Sequence, residues 1–169
     1  DFFRTTLSKG HDYITVKEER THIESYLEIQ QFRYQDILDY EIQMDEEIYG
    51  YIIPKLTLQP LVENALYHGI KNKRGKGKIL ITGKKQGDKI IFQVIDNGKG
   101  MTEEELNSLR KKMAGTDTGD EAKGFGVSNV NRRIKYYYGE EYGVFFESKE
   151  NEGTNATIII AAKNIQLPS

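Results

Sequence analysis

The sequence of 169 residues contains no cysteine and no long apolar run. Without cysteine the protein can form neither disulfides nor thiolate metal sites, a composition that fits a reducing compartment. Its longest apolar runs, such as residues 158–162, fall far short of the roughly 20 residues that cross a membrane. No signal peptide opens the sequence. We therefore expect a cytoplasmic domain.

The sequence also has no large excess of positive or of negative charge. The formal net charge is −2 and the pI is near 6.0, so bulk charge gives no support to direct nucleic-acid binding. The composition, 37% hydrophobic and 30% charged, is that of an ordinary soluble globular protein, and the length suits one domain with or without an appendage. Because the sequence begins at Asp1, without methionine and within a helical pattern, we expect a piece of a longer protein.

Common phosphate and metal motifs are missing as well. Five residues separate Gly69 from Gly75, where a Walker loop has four, and Gly77 stands where Ser or Thr must reach the metal. The Gly-x-Gly pairs at 98–100 and 124–126 lack the third glycine of a dinucleotide fingerprint. No histidine pair has zinc-ligand spacing. A functional site must therefore be of another kind.

The apolar run 90–95 ends abruptly at Asp96, and glycines follow at 98 and 100. Such a run predicts a buried strand, and the glycines permit positive φ angles and close approach of other groups to the backbone. Two interpretations stay open at this point. The segment either closes a plain hairpin with an Asp-Asn-Gly turn or places a carboxylate where it binds a ligand.

The segment 58–70 has the spacing of a helix that faces the core. Its apolar residues recur at i, i+3, i+4, i+7 and i+8: Leu58, Leu61, Val62, Ala65 and Leu66. Pro60 is tolerated because it lies in the first turn. Pro60, Asn64 and His68 are four residues apart and share one row, whereas Glu63 is turned about 100° away from Asn64. Asn64 and His68 are therefore predicted to face one cavity.

An earlier helix is predicted from the capping box at Thr15 and Glu18. It has two apolar sides, one of which contains Val16, Ile23, Leu27 and Tyr34 and the other Ile29 and Phe32. The second side favours a further packing partner, either an upstream segment or a second subunit, unless the helix frays there. The rest of the pattern predicts strands and helices around one mobile loop at 114–123. Strands are predicted at 40–44, 78–85, 89–95, 144–148 and 155–162, the second and third of them joined as a hairpin around 87–88. Helices are predicted from 102 to about 113 and from the Gly-x-Gly at 124–126 to about 138.

The order of these features resembles the Bergerat-type ATP site of histidine kinases, gyrase-like ATPases, the heat-shock chaperone of ninety kilodaltons and mismatch-repair ATPases. That site has an Asn on a helix, an Asp-x-Gly-x-Gly turn after a strand, a Gly-x-Gly before a helix and a Gly-Thr before the last strand. Longer motifs are similar to those of the YesM/LytS-type sensor histidine kinases, nearer the YesM branch: Tyr26-Leu-x-Ile-Gln30-x-x-Arg33, Leu58-Gln-Pro-Leu-Val-Glu-Asn-Ala65 with His68-Gly69, Gly124-x-Gly-Val-x-Asn-Val130 with Arg133, and Tyr137-Tyr-Gly139. The resemblance covers nearly the whole chain.

The resemblance implies ATP and Mg²⁺ as ligands. Asp96 would accept from the adenine amine, while Gly98 and Gly100 would leave room for the base. The Asn64 amide oxygen would bind Mg²⁺, a hard cation that prefers oxygen. The remaining nucleotide contacts implied are Met101 and Thr154, the backbone of Gly124, Phe125, Gly126 and Val127 at a helix N-terminus, and the cations Lys71 and Arg133.

Catalytic roles separate a kinase from a hydrolytic relative. The hydrolases carry a Glu base four residues before the Asn, where this chain has Pro60, and proline cannot act as a base. The resemblance places Glu63 as an acid beside the site and His68 beside the nucleotide, although a structural role for His68 is an equal alternative. A Bergerat-type ATPase and a nucleotide-sensing pseudokinase stay as alternatives to the kinase.

The resemblance also implies the architecture and the partners. The fold would be an α/β two-layer sandwich, an α+β arrangement in which helices cover one face of a mixed, mostly antiparallel sheet. Residues 1–35 would be the end of the dimerisation and phosphoacceptor region, and 36–169 the ATP-binding catalytic domain. Neither His11 nor His22 has the setting of the acceptor, which would lie upstream. Phosphate would pass from it to a response regulator, often one with an AraC-type DNA-binding domain, and the full-length protein would be a membrane-anchored homodimer.

Overall fold

The computed structural model describes residues 13–34, 37–70, 75–115 and 125–165. The helices are α1 (Val16–Arg33), α2 (Gln59–Asn64), which continues as a π-helical segment (Ala65–Ile70), α3 (Glu103–Met113) and α4 (Phe125–Tyr138). The strands are β1 (Tyr13–Thr15), β2 (Leu38–Met44), β3 (Ile52–Pro54), β4 (Gly77–Gln86), β5 (Lys89–Asp96), β6 (Gly143–Lys149) and β7 (Gly153–Ala161). A single 3₁₀ turn lies at Glu46–Ile48.

Five strands form the main sheet in the order β2-β4-β5-β7-β6. The β2–β4 pair is parallel and the other pairs are antiparallel, while β1 and β3 make a separate antiparallel pair. Burial alternates along the central strand β5, where Ile90, Phe92 and Val94 are buried and the residues between them are half-buried. One face of the sheet therefore carries the helices, and the predicted two-layer α/β fold with a mixed, mostly antiparallel sheet is confirmed.

Helix α1 begins as predicted. The Thr15 hydroxyl accepts from the Glu18 N–H at 3.1 Å, and the Glu18 carboxylate accepts from the Thr15 N–H at 3.2 Å. Its first apolar side is buried in the common core, whereas Ile29 is 61% and Phe32 is 77% exposed. The two sides are thus confirmed, and α1 packs on the sheet although it precedes the predicted domain boundary at residue 35.

The other predicted elements agree with the structure to within a few residues. Strands β4 and β5 form the hairpin around 87–88, and α3 starts with a second capping box at Thr102 and Glu105. Helix α4 ends at Tyr138, directly before Gly139. The predicted helical remnant at 1–7 and most of the predicted mobile loop at 114–123 lie outside the described residues.

Helix α1 also carries a buried acid, Glu19, which is 1% exposed. Its carboxylate accepts from the backbone N–H groups of Leu56 at 3.0 Å and Leu58 at 2.5 Å, directly before α2. Burial penalises the charged form and raises the Glu19 pKa from 4.5 to about 7, although these N–H groups and the positive charge of Arg133 oppose the shift.

This raised pKa predicts a stability that falls as the pH rises. Because the folded protein holds the Glu19 proton more tightly than the unfolded chain, the stabilisation is complete below pH 4.5 and is lost as the pH rises through about 7. The free energy of unfolding of the wild type, relative to Glu19→Gln, should fall by about 3 kcal/mol across this range. Urea denaturation of both proteins at several pH values measures the difference.

The exposed Glu28 on the same helix provides the control, since Glu28→Gln should follow the wild type at every pH. Parallel profiles of the wild type and Glu19→Gln between pH 4.5 and 8 would contradict the raised pKa.

Candidate functional site

A cavity of about 310 Å³ lies where the end of β5 meets the π-helical segment, α3, the first turn of α4 and the start of β7. Separate stretches of sequence converge on it. The predicted site residues that line it are Asn64, His68, Asp96, Gly100, Met101, Val127 and Thr154.

Asp96 is the last residue of β5 and is only 6% exposed. The strand alternation places it on the helix-facing side, in register with Thr154 of β7. One carboxylate oxygen accepts from the Gly98 N–H at 2.8 Å, which fixes the side chain at the cavity wall. Because the chain continues from here into α3 and not into a paired strand, the hairpin interpretation is excluded and Asp96 is a buried acid facing a cavity.

Gly98 lies against the backbone of the π-helical segment. A Cβ atom at Gly98 would stand 2.5 Å from both Cα and O of Gly69, closer than the 3.0 Å that real Cβ atoms keep. The Lys99 N–H donates to the Gly69 carbonyl at 3.3 Å in the same contact. Besides the predicted room for a purine, which stays a prediction, Gly98 has a structural role: two backbones meet here and hold Asp96 in place.

Gly100 has a similar backbone role. Its φ of +67° is left-handed, and a Cβ atom there would collide with the Lys149 carbonyl oxygen. The next residue, Met101, donates its N–H to the Ser148 hydroxyl at 2.8 Å, and that hydroxyl lies 2.8 Å from the hydroxyl of Thr154. Ser148 was not predicted from the sequence, since only the β6–β7 register brings it beside Thr154.

The helix 59–70 presents Asn64 and His68 to the cavity, as their spacing predicted. The change to π-helical geometry at Ala65 was not predicted. Glu63 does not line the cavity, and its carboxylate accepts from the Gln59 side-chain amide at 3.2 Å. The structure thus gives Glu63 no contact with the cavity, and its catalytic role stays a prediction that this placement does not favour.

The start of α4 forms another wall of the cavity. Val127 lines the cavity, and a Cβ atom at Gly126 would stand 3.0 Å from Cβ of Pro60, so α4 packs closely on the first turn of α2. The backbone of Phe125 begins α4, whereas Gly124 and Lys71 lie outside the described residues.

The Arg133 side chain, predicted to contact phosphate, does not line the cavity. Its guanidinium donates to the carbonyl oxygens of Lys55 at 2.6 Å and Leu56 at 2.9 Å. These bonds occupy the guanidinium within the protein and do not support the predicted phosphate contact.

Sequence reasoning missed the cavity wall that α3 forms. Its residues there are Glu105, Ser108, Leu109 and Lys112, and Gly69 and Lys99 complete the lining. Glu105 serves the capping box, where the Thr102 backbone N–H is the main cause of its lowered pKa. The sequence contained one signal for this wall, because α3 begins only three residues after Gly100 and therefore stays close to it. Lys99 and Lys112 give the cavity positive side chains.

Within the described part of the chain, no three His, Cys, Asp or Glu side chains cluster as a metal site. In the same part, no helix combines the length and apolarity needed to cross a membrane.

The fold and these residues together define a Bergerat-type domain of the histidine kinase and gyrase-like class. The comparison with known families agrees, because the model of the family described as histidine kinase-, DNA gyrase B- and HSP90-like ATPases matches residues 54–164. The chain belongs to this family. A second family model, described as histidine kinase, matches residues 1–38.

Sensor proteins of bacteria are similar to this chain. The sensor histidine kinase YesM of Bacillus subtilis is 34% identical over 161 residues, which are 95% of this chain and 26% of YesM. The sensor protein LytS of Staphylococcus saprophyticus is 30% identical over 166 residues, which are 98% of this chain and 27% of LytS. The chain therefore spans about a quarter of the length of these relatives, and the resemblance to YesM/LytS-type kinases is confirmed.

Among solved structures, the catalytic domain of the histidine kinase ThkA has the same fold, with a TM-score of 0.65. The match covers 91% of this chain and 98% of that domain at 18% sequence identity. Identity this low supports the shared fold alone.

Proposed function

We propose that this chain is the ATP-binding catalytic part of a two-component sensor histidine kinase. It would transfer the γ-phosphate of ATP to a histidine in an upstream segment, from which the phosphate passes to an aspartate of a response regulator. The observation that carries the proposal is the convergence of Asp96 and Asn64, from two distant segments, on one cavity.

The two ends of the cavity suit the two ends of ATP. A buried carboxylate accepts well from the exocyclic amine of adenine, and a charged acceptor strengthens such a bond. The N-terminus of α4, with Gly126 and Val127, offers free backbone N–H groups that suit phosphate. Lys99 and Lys112 line the same cavity and add positive charge.

Asn64 is the residue that would hold Mg²⁺. Its amide oxygen is a ligand of the kind that Mg²⁺ prefers, and the ion retains water and binds phosphate oxygens in addition. One protein ligand therefore suffices. The bound ion would neutralise charge on the transferred phosphate.

Pro60 favours a kinase over an ATPase. It lies one turn before Asn64, where the hydrolases have a general base, and it packs against Gly126. The chain therefore has no base at this position to activate water, and catalysis would depend on positioning and charge stabilisation.

The proposal also covers the division of the chain and the full-length protein. Residues 1–35 would end the dimerisation and phosphoacceptor region, and 36–169 would form the catalytic domain, a division that the two family matches support. By analogy with its relatives, the full-length protein would be a membrane-anchored homodimer whose catalytic part lies in the cytoplasm. Its response regulator would be of a kind that often carries an AraC-type DNA-binding domain.

Replacement of Asn64 by alanine tests the activity directly. In a protein extended upstream to include the acceptor histidine, Asn64→Ala should lower autophosphorylation by a factor of at least about 100, because the metal–phosphate geometry is lost. Transfer of labelled phosphate from ATP to histidine measures the effect. ATP binding in the absence of Mg²⁺ should change little, since Asp96 is intact.

Asn107→Ala is the matched control, because Asn107 is exposed on α3 and does not line the cavity. Rapid Asn64-dependent ATP hydrolysis without histidine phosphorylation would replace the kinase with an ATPase. Tight ATP binding without any phosphate transfer would indicate a pseudokinase.

A further inference from the structure

The turn at residues 55–58, between β3 and α2, is held by ionisable side chains from two helices. Glu19 of α1 accepts from the N–H groups of Leu56 and Leu58, whereas Arg133 of α4 donates to the carbonyl oxygens of Lys55 and Leu56. The peptide groups of the turn thus lie between a carboxyl group on their N–H side and a guanidinium on their C=O side.

This turn has a conformation that its own residues do not favour. Leu56 has a φ of +58°, in the left-handed region where a branched apolar residue is uncommon, and its side chain is 44% exposed. Burial of Leu56 therefore does not explain the conformation. A residue of this kind persists only when its surroundings determine it. Here the surroundings are Glu19, Arg133 and the buried Thr57 hydroxyl, which donates to the Pro54 carbonyl oxygen.

The turn controls the position of α2. Leu58 immediately precedes the helix and supplies no side-chain cap, so the cap comes from Glu19, 39 residues earlier in the sequence. Asn64 follows Leu58 by six residues, about 9 Å along a helix axis. A shift of the turn is therefore carried to Asn64 by a rigid stretch of helix.

Arg133 connects the same turn to the other wall of the site. It lies seven residues after Gly126, on the same side of α4 two turns further on. Gly126 packs on Pro60 of α2, so α4 contacts the α2 region at two points, one of them beside the cavity. The distance between Asn64 and the N-terminus of α4 depends on both of these contacts.

We propose that Glu19 and Arg133 are positioning residues that set Asn64 against the N-terminus of α4. They affect the Mg²⁺-dependent part of ATP binding and leave the contact between Asp96 and adenine unchanged. This inference rests on the proposed function.

The Mg²⁺ dependence of ATP binding by the 169-residue chain is the readout. For Glu19→Gln, calorimetry should give an ATP dissociation constant within about twofold of the wild type in EDTA but about tenfold higher with Mg²⁺. The Mg²⁺ concentration for half-maximal binding should rise accordingly. Arg133→Lys keeps the charge but loses the planar fork whose two nitrogens donate separately to the two carbonyls, so it should shift the same quantities in the same direction.

Glu28→Gln and Arg132→Lys are matched controls on the exposed sides of α1 and α4, and they should leave both dissociation constants unchanged. If Glu19→Gln fails to fold, as thermal denaturation will show, Arg133→Lys decides the question. Equal losses with and without Mg²⁺, or no loss in either condition, would overturn the proposal.

Asn64→Ala separates this inference from the proposed function. If that variant binds ATP with an unchanged Mg²⁺ dependence, the metal role of Asn64 fails, whatever Glu19 and Arg133 do. If it removes the Mg²⁺ dependence while Glu19→Gln and Arg133→Lys keep it, only the positioning role fails.

Discussion

Exchange of Asp96 for asparagine is expected to weaken ATP binding by about a hundredfold while the protein stays folded. The asparagine oxygen can still accept from the Gly98 N–H, so the local backbone keeps its bond. The amide nitrogen then faces the amine of adenine. Both groups are hydrogen-bond donors, so the bond from the amine to a charged acceptor is lost. Calorimetric titration with ATP measures the loss, and thermal denaturation should remain cooperative.

Asp88→Asn is the control for this exchange. Asp88 is exposed in the hairpin turn at the opposite end of β5, so its replacement removes the same charge from the same part of the sheet without touching the cavity. Tight ATP binding by Asp96→Asn, equal to that of Asp88→Asn, would remove Asp96 as the adenine anchor.

Gly98→Ala should destabilise the protein strongly, with a loss of about 3 kcal/mol in the free energy of unfolding. The added methyl group would meet Cα and O of Gly69 at 2.5 Å, and both sides of this contact are backbone. No side-chain rotation can relieve it, so the end of β5 or the π-helical segment has to move. Urea denaturation measures the change.

Gly50→Ala gives the baseline for this comparison. A Cβ atom at Gly50 would have no neighbour within 4 Å, and its φ is not left-handed, so the change should stay within about 0.5 kcal/mol. If Gly98→Ala is as stable as Gly50→Ala, the contact with Gly69 does not constrain the fold.

Local rules predicted the elements well. The capping box at Thr15, the β4–β5 hairpin and the two apolar sides of α1 were predicted from spacing, because these features depend on residues three or four apart or on strict alternation. The row of Asn64 and His68 followed from helical geometry in the same way. The π-helical segment was missed, since no local pattern distinguishes it from an α-helix.

The reasons for individual residues were less predictable. Arg133 was expected to contact phosphate because of its place in a motif, but it binds carbonyl oxygens 77 and 78 residues earlier in the chain. The wall that α3 contributes was missed although α3 was predicted. In both cases, the neighbour of a side chain depends on how the helices pack on the sheet.

The sequence by itself determined most of the elements, their order and the family, but not the short β1–β3 pair or the π-helical geometry. It also predicted the chemistry of the site, because an acid at the end of an apolar strand, glycines beside it and an Asn on a core-facing helix can be read from residue type and spacing. Only the tertiary structure decided which backbone Gly98 meets, how α2 is capped and where Arg133 binds. The physical reason is that these contacts join segments between 29 and 78 residues apart, and nothing in the local sequence specifies such a partner.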